Sequence, residues 1–357
     1  MEEEKSVMES NVQEQYIDDN LCKVCTQSKI DKSENENSII CEECREKMIR
    51  YPITKIFLFF SIIIVVLIGM SFFHFPKLIS DYRIYENSTN QADNGDIDLA
   101  IENLYSLTEQ YPESIPIAVR FTDLAMDFGY YDIASDVLST YLMEKEIDIE
   151  IVDRLNIYID KLNRYYNSID SIEKIQNELS EQEVLSEGYN RIKILLDDST
   201  QDKAVVYYYL AAYTSDIEET KLYLEKCINE DKNFLDAKAR LATILRREGD
   251  LEKSANYYKD VLNADKNYIE ALRGLAVIKL LEDKKEEGLD LAYKAFDREP
   301  EAIYVWETYV IALKENGKNS DVENEIENYI AEGNIVDLDT QLYLDGKTSL
   351  HDYYVGE

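Results

Sequence analysis

The sequence has few of the residues on which enzymes most often rely. Its 357 residues include only two histidines, His74 and His351, with 11 glycines and 5 prolines. It contains neither a glycine-rich phosphate loop nor a metal-ligating histidine pair, so we predict a protein without catalytic activity. The scarcity of glycine and proline also favours long, uninterrupted helices.

Positive charge is scarce as well. Lysine and arginine number 38 against 73 aspartates and glutamates, which gives a net charge of −35 at pH 7. Nucleic acid or an anionic lipid surface would repel such a chain, so nucleic acid is not a predicted partner. The acidic residues 1–20 predict a disordered, solvated tail. The richness in isoleucine, lysine, asparagine and tyrosine is typical of an AT-rich bacterial genome.

One stretch has no charged residue at all, and it extends from Ile56 to Phe75. At about 1.5 Å rise per residue, a helix of this length matches a hydrocarbon core of about 30 Å. A buried core helix would keep a polar face, and a signal peptide would lie nearer the N-terminus and end in small residues. We therefore predict one transmembrane helix over 56–75 in the cytoplasmic membrane.

The charges that flank this stretch predict its orientation. More lysines and arginines lie before it than after it, and such residues favour the cytoplasmic side. The N-terminus is therefore expected in the cytoplasm and the larger part of the chain outside it. The basic residues before the stretch are Arg45, Lys47, Arg50 and Lys55, and those after it are Lys77 and Arg83.

Four of the five cysteines lie close together before this helix. Cys22, Cys25, Cys41 and Cys44 form two C-x2-C pairs separated by fifteen residues, the spacing of a tetrathiolate zinc site. The cluster resembles zinc-ribbon or treble-clef modules, and we predict such a module over 21–50. Four protein ligands would complete the coordination shell, which makes the predicted Zn2+ structural.

Other chemistries remain open for these thiols. They include two disulfides, an iron–sulfur cluster, or a redox pair formed by Cys22 and Cys25. A cytoplasmic location disfavours stable disulfides. The fifth cysteine, Cys227, falls on an apolar ridge and is predicted to be a core residue.

A 34-residue period appears beyond the apolar stretch, in windows that open at Gln201, Leu235, Ile269 and Ile303. Each window has apolar positions for two helices and a turn between them, where Gly249 and Gly317 relieve left-handed backbone strain. The pattern resembles the tetratricopeptide repeat (TPR) family, in which antiparallel helix pairs stack on one another. Trp306 occupies a position where that family often has tryptophan.

Two earlier windows, Asp81–Ser114 and Ile115–Asp148, carry the same pattern. The stretch 149–200 departs from it, and we predict one degenerate helix pair there, followed by a helix from Val184 to Leu196. The predicted fold is thus an all-α, TPR-like α-solenoid over 81–336, regular over 201–336 and irregular over 149–200. Residues 337–357 are predicted to form a capping helix or a tail.

The resemblance to the TPR family also implies a binding surface. In that family, the first helices of the pairs line a concave groove that receives a peptide. Arg240, Arg246 and Arg273 would give this groove a basic island that could bind carboxylates of a ligand. Alternatively, these arginines form ion pairs with acidic neighbours on the helix surface. Carried over by position, the groove residues are Tyr209, Arg240, Thr243, Arg246, Arg273, Tyr304 and Thr308.

Two functional hypotheses follow from this organisation. The first is a membrane-anchored scaffold or adaptor whose repeats bind a protein or peptide partner, while the zinc module lies on the other side of the membrane. The second is a transmembrane sensor, in which ligand binding by the repeats alters the zinc module through formation of a homodimer. Gly69, Ser61 and Ser71 are the small residues of the predicted membrane helix that could pack in such a dimer.

Overall fold

The computed structural model describes residues 19–49, 55–179 and 187–355, which belong to two compact units. The first unit ends at Leu78 and the second begins at Ile79. Almost all of the predicted acidic tail lies outside the described residues. Within the described ranges the regular structure is helical, and one isolated bridge joins Leu21 and Lys29.

The first unit contains a short helix, α1 (Glu42–Ile49), and the beginning of a long one, α2 (Lys55–Asp93). α2 has the length and composition needed to cross a membrane, with a mean hydropathy of 2.9 over its most apolar window. Large apolar side chains such as Phe57 and Val65 are about two thirds exposed, at 69% and 67%. Burial inside the protein therefore does not account for this hydrophobicity.

α2 continues through Pro76, where the sequence pattern places the end of the apolar helix. Proline removes one backbone donor, at a cost of about 3 kcal/mol in a helix interior. The apolar run before Pro76 and the repeat sequence after it both favour helix. Helix formation on the two sides therefore offsets the cost of the proline. The last part of α2 supplies the first helix of the window that begins at Asp81.

The second unit is built mainly of antiparallel helix pairs. After α2, its helices are α3 (Ile97–Gln110), α4 (Ile115–Asp127), α5 (Tyr131–Val137, extended by a π-helical turn over Leu138–Leu142), α6 (Ile149–Glu178), α7 (Tyr189–Ile194), α8 (Lys203–Tyr213), α9 (Ile217–Glu230), α10 (Leu235–Arg247), α11 (Leu251–Ala264), α12 (Ile269–Leu281), α13 (Lys285–Arg298), α14 (Ile303–Glu315), α15 (Asn319–Ala331), α16 (Leu338–Leu344) and α17 (Leu350–Tyr354).

The spacing of these helices follows the predicted period. The first helices α10, α12 and α14 begin at Leu235, Ile269 and Ile303, and each partner helix follows after a short turn. Gly249 and Gly317 adopt positive φ at these turns, as the sequence predicts, and Asp283 adopts φ 59° at the equivalent position. The all-α, TPR-like solenoid is thereby confirmed for the described residues.

The irregular stretch differs from its prediction. In place of a degenerate pair, residues Ile149–Glu178 form the single helix α6. Neither glycine nor proline occurs between these bounds, so no residue there favours a turn. Part of the predicted helix from Val184 lies outside the described residues, and α7 with the 3-10 turn Leu195–Asp197 forms the remainder.

The first two helix pairs contact segments that follow them by more than 100 residues. The amide of Asn233 donates to the carbonyl of Asp127 at 2.6 Å, and Asp98 pairs with Arg298 at 3.2 Å. A Cβ atom added to Gly129 would lie 3.1 Å from the carbonyl oxygen of Asn233. This turn thus approaches the later repeat closely, which a bare glycine permits.

A buried ion cluster joins the two parts of the solenoid. Lys161 on α6 lies 2.6 Å from a carboxylate oxygen of Asp202 and 3.0 Å from one of Asp231. The hydroxyl of Tyr131, the first residue of α5, donates to the same oxygen of Asp231. Both aspartates are over nine-tenths buried. Each buried carboxylate therefore has a cation or donor to offset its loss of hydration.

The pKa values of this cluster are shifted in opposite senses. Burial lowers the pKa of Lys161, but the two aspartates more than reverse this and leave it above the ordinary value. Burial raises the pKa of Asp231, but hydrogen bonds from Tyr131 and Lys161 outweigh it and leave the pKa below the ordinary value. The cluster thus contributes its stability between acid pH and strongly alkaline pH.

Replacing Lys161 with methionine would keep the aliphatic stem but leave Asp202 and Asp231 buried without their cation. We expect the free energy of unfolding at pH 7 to fall by about 3–5 kcal/mol. Urea unfolding of the full chain in detergent, followed by circular dichroism, measures this loss.

The matched control is Lys294→Met, because Lys294 and Asp290 form a pair in which both side chains are more than half exposed. We expect little change from that substitution. The deficit of Lys161→Met should shrink as the pH falls from about 4 through the depressed pKa of Asp231, because that carboxylate then loses its charge in the folded protein. A deficit no larger than that of the control would contradict the assigned role.

Candidate functional site

The four clustered cysteines lie together at one end of the first unit. A tight turn holds the first pair, since the amide of Thr26 donates to the carbonyl of Cys22 at 2.9 Å. Cys41 directly precedes α1 and Cys44 lies in its first turn, so their spacing puts both on one side of the helix. The first pair therefore lies in a turn and the second pair at the start of a helix.

The position of the helix start has local causes. Glu42 and Glu43 lie in the first turn of α1, where acidic side chains favour the helix N-terminus. Arg45 on the same helix pairs with Asp31 and with Glu34, the latter at 2.9 Å. These ion pairs connect α1 to the loop between the two cysteine pairs.

The sulfur atoms of Cys22, Cys25, Cys41 and Cys44 all lie within 4.8 Å of one another. None of the five cysteines of the chain forms a disulfide. In a tetrahedral zinc site with Zn–S bonds of about 2.3 Å, neighbouring sulfur atoms are roughly 3.8 Å apart. The Sγ atoms of Cys25 and Cys41 are 3.6 Å apart, so the group fits one such ion.

Burial and hydrogen bonds shift the pKa values of the clustered thiols. Burial raises the pKa of Cys22, but hydrogen bonds from backbone amides, including that of Val24, lower it overall to about 6. A hydrogen bond with Cys41, together with burial, raises the pKa of Cys44 to about 12. A cation among the sulfurs would favour the thiolate form of all four.

The predicted groove residues of α10 make contacts with neighbouring helices. Arg240 donates to the carbonyl of Ala211 on α8 at 3.2 Å. The hydroxyl of Thr243 is 2.8 Å from that of Tyr258 on α11. Both side chains are half-buried and hold adjacent helices together.

Arg273 on α12 connects to two other predicted groove residues. Its Nε atom donates to the carbonyl of Tyr304 at 3.0 Å and to the hydroxyl of Thr308 at 3.1 Å, both on α14. Its guanidinium also lies over the ring of Tyr304, 5.2 Å from the centroid. Tyr209 lies apart from these three, with its ring 6.1 Å from that of Tyr208.

The arginines of the predicted basic island therefore bond to backbone carbonyls. Within the described ranges, none of Arg240, Arg246 and Arg273 comes within 4 Å of a carboxylate oxygen. The guanidinium of Arg246 is buried, with the residue only 2% exposed. It donates to the carbonyl oxygen of Tyr354 on α17 at 2.5 Å.

The two last described helices cover part of the predicted groove. α16 packs against α14, and α17 packs against α12. Tyr343 and Tyr354 are buried among Ala276, Val277 and Ile311. Lys314 donates to the carbonyls of Tyr343 and Leu344, at 2.7 and 2.6 Å, and so terminates α16.

The sequence pattern predicts a cap or a tail here but not contact with α10 and α12. The apolar and tyrosine residues of 337–357 signal burial without indicating which surface they cover. The sequence pattern does not predict the roles of Lys314 and Tyr354. Both residues contribute to the contact between this segment and the groove, and that contact does not recur from repeat to repeat.

Comparison with known proteins finds distant structural similarities. No protein-family model matches the chain, and no curated protein matches it. One similar solved structure is that of MamA from AMB-1, which is 15% identical; the match covers 52% of this chain and 98% of that one, with a TM-score of 0.36. Another is YrrB, a TPR protein with an unusual peptide-binding site, which is 16% identical; the match covers 57% of this chain and 95% of that one, with a TM-score of 0.31. Yeast Tom70 is 14% identical; the match covers 68% of this chain and 61% of that one, with a TM-score of 0.37. Since these TM-scores are low, the fold assignment rests on the helix pairs themselves.

The cysteine geometry yields a direct prediction about metal content. The purified full chain should contain one zinc ion, and Cys44→Ser should lose it because three ligands leave the coordination shell open. Cys227→Ser is the matched control, since Cys227 is a buried core residue of the repeats and should leave zinc content unchanged.

Elemental analysis measures the zinc, iron and labile sulfide content of the wild type and of both variants. Zinc retained by Cys44→Ser at the wild-type level would contradict the assignment. Iron with labile sulfide in place of zinc would show an iron–sulfur cluster instead.

Proposed function

We propose that this protein is a membrane-anchored scaffold or adaptor whose helix repeats bind a protein or peptide partner. The observation that carries the proposal is the position of residues 349–355. This short segment lies against α10 and α12, so first helices of the repeats accommodate a peptide. Side chains and backbone are both engaged, as in recognition of a separate peptide.

Membrane anchoring is supported by the exposed apolar surface of α2 and the distribution of lysine and arginine around it. In this proposal α2 spans the cytoplasmic membrane once, with the N-terminal module in the cytoplasm and the repeats outside. The cysteine module holds a structural zinc ion through Cys22, Cys25, Cys41 and Cys44. Such an ion would supply folding free energy to a module with few apolar residues.

A binding role agrees with the electrostatics of the second unit. The chain is strongly acidic, so a partner with a basic surface would be attracted to most of it. Within the groove, Arg246 and Arg273 supply positive charge near Tyr354. Electrostatic complementarity of this kind improves selectivity and association rate more than affinity.

The proposal predicts partners that depend on residues 201–336. Intact cells that produce the full chain are treated with a membrane-impermeant amine crosslinker, and the chain is purified under denaturing conditions. We expect crosslinked partners with the full chain and none with a variant that lacks 201–336 but retains α2.

Two results would count against the proposal in different ways. An unchanged set of partners after the deletion would contradict binding by the repeats. Partners recovered only with a membrane-permeant crosslinker of the same chemistry would place the repeats in the cytoplasm and overturn the proposed orientation.

A further inference from the structure

Two aspartates, Asp231 and Asp265, occupy equivalent positions in successive repeats. Each directly follows the second helix of its pair, α9 or α11, and accepts the backbone amide two residues further on, at 3.0 and 2.9 Å respectively. Each also accepts from a tyrosine hydroxyl at the beginning of α5, from Tyr131 for Asp231 and from Tyr130 for Asp265. The two carboxylates therefore make the same kinds of hydrogen bond.

The two aspartates differ in their cations. The ammonium of Lys161 lies 3.0 Å from the Oδ2 atom of Asp231 and 5.3 Å from the centroid of the Tyr131 ring. In the part of the chain that the structure describes, no lysine or arginine forms an ion pair with Asp265, although this residue is only 7% exposed. A buried carboxylate is costly without a cation. Asp265 thus lacks the cation that its counterpart has.

The pKa values of the two carboxyl groups reflect this difference. Burial raises the pKa of Asp231, but its bonds to Tyr131 and Lys161 leave that pKa below the ordinary value. Burial also raises the pKa of Asp265, and there it prevails over the opposing charge of Arg298. Arg298 itself pairs with Asp98 at 3.2 Å. A further cation beside Asp265 would therefore be stabilised.

A cavity of about 230 Å³ is lined in part by Asp265, where the turn between α4 and α5 meets loops of the later repeats. This volume is many times what one water molecule needs. Asp236 lines the cavity as well and is exposed to solvent, so a ligand can enter from that side. Among the described residues, no lysine, arginine or histidine lines it. Its aromatic lining consists of Phe128, Tyr130, Tyr131, Tyr165, Phe234 and Tyr268.

Aromatic rings and carboxylates together favour an organic cation. The face of an aromatic ring attracts ammonium and guanidinium groups, and the attraction grows where water is excluded. Ca2+ takes about six to eight oxygen ligands, more than Asp236 and Asp265 supply. The bond from Tyr130 to the Oδ2 atom of Asp265 is long, at 3.5 Å, which leaves this oxygen free to accept a stronger donor. A cation with N–H donors meets this requirement, as Lys161 does at Asp231.

We propose that this cavity binds an organic cation with N–H donors, such as a primary ammonium group, and that Asp265 and Asp236 are its carboxylates. The bound nitrogen donates to Asp265, while the attached alkyl group contacts the aromatic lining. The net charge of −35 raises the concentration of cations near the site. The inference goes beyond the proposed scaffold function, because the cavity includes none of the predicted groove residues.

The test uses n-butylammonium, which reproduces the end of a lysine side chain. Saturation-transfer difference NMR at pH 7 measures its binding to the full chain in an uncharged detergent, with protein-free micelles as the blank. Butan-1-ol is the neutral ligand of the same chain length. We expect n-butylammonium to bind about tenfold more tightly than butan-1-ol, because only the ammonium gains from the carboxylates and the ring faces.

The variant Asp265→Asn removes the buried charge but keeps the shape of the side chain and an acceptor for the backbone amide. It should bind n-butylammonium about tenfold more weakly than the wild type does. The matched control is Asp290→Asn, which makes the same change in net charge at an exposed pair with Lys294 and should leave binding unchanged. Circular dichroism checks that both variants remain helical.

A second variant keeps the test valid if Asp265→Asn does not fold. Asp236→Asn changes an exposed residue that accepts from the hydroxyl of Tyr268, and the asparagine oxygen can still accept this bond. It should weaken binding of n-butylammonium by roughly threefold, since an exposed charge contributes less than a buried one.

The peptide acetyl-Gly-Lys-Gly-amide distinguishes the two sources of such a cation. Binding of the peptide as tight as that of n-butylammonium, or tighter, supports a lysine side chain of a partner protein as the ligand. Binding of n-butylammonium without binding of the peptide supports a free amine. Both results require the cation site.

Equal affinity of the wild type for n-butylammonium and butan-1-ol would overturn the cation site, as would the absence of n-butylammonium binding. Unchanged binding in Asp265→Asn and Asp236→Asn would overturn the assignment of the carboxylates. None of these results bears on the scaffold function, which is tested by the crosslinked partners.

Discussion

The arrangement of the repeats depends on the cation of Lys161 between two buried carboxylates. Asp202 caps the N-terminus of α8 and Asp231 caps the C-terminus of α9, so one ammonium group on α6 contacts both ends of the first regular repeat. Tyr131 extends the same cluster to the earlier helix pairs. Because α6 has no turn of its own, this polar junction and the loops beside it determine how the early pairs approach the regular repeats.

Positively charged side chains also connect helices in the groove. The chain has a net charge of −35, yet Arg240, Arg246 and Arg273 form no ion pair with the carboxylates of the described residues. They donate to backbone carbonyls, and Arg246 does so toward the chain's own segment. Arg246 is the buried one of the three, and its bond to the carbonyl of Tyr354 holds the last helix against the groove.

The repeat period and its turns were predictable because they are local. Apolar spacing and glycine at the turns determine each helix pair within 34 residues, and the structure repeats that spacing. The proximity of the four cysteines also follows from their spacing. The continuity of α2 and α6 was less predictable, since it depends on propagation across a proline and on the absence of turn residues. The contacts of Tyr354 and Asn233 with distant helices have no periodic signal at all.

The central claim, that the chain's own segment occupies the groove, can be tested by a photo-crosslinker placed at one residue. Benzoylphenylalanine replaces Tyr354 in the full chain, and the products of irradiation are mapped by mass spectrometry. Crosslinks within the same chain to α10 or α12 are expected. Absence of such crosslinks, in a chain that remains helical, would contradict occupation of the groove by this segment.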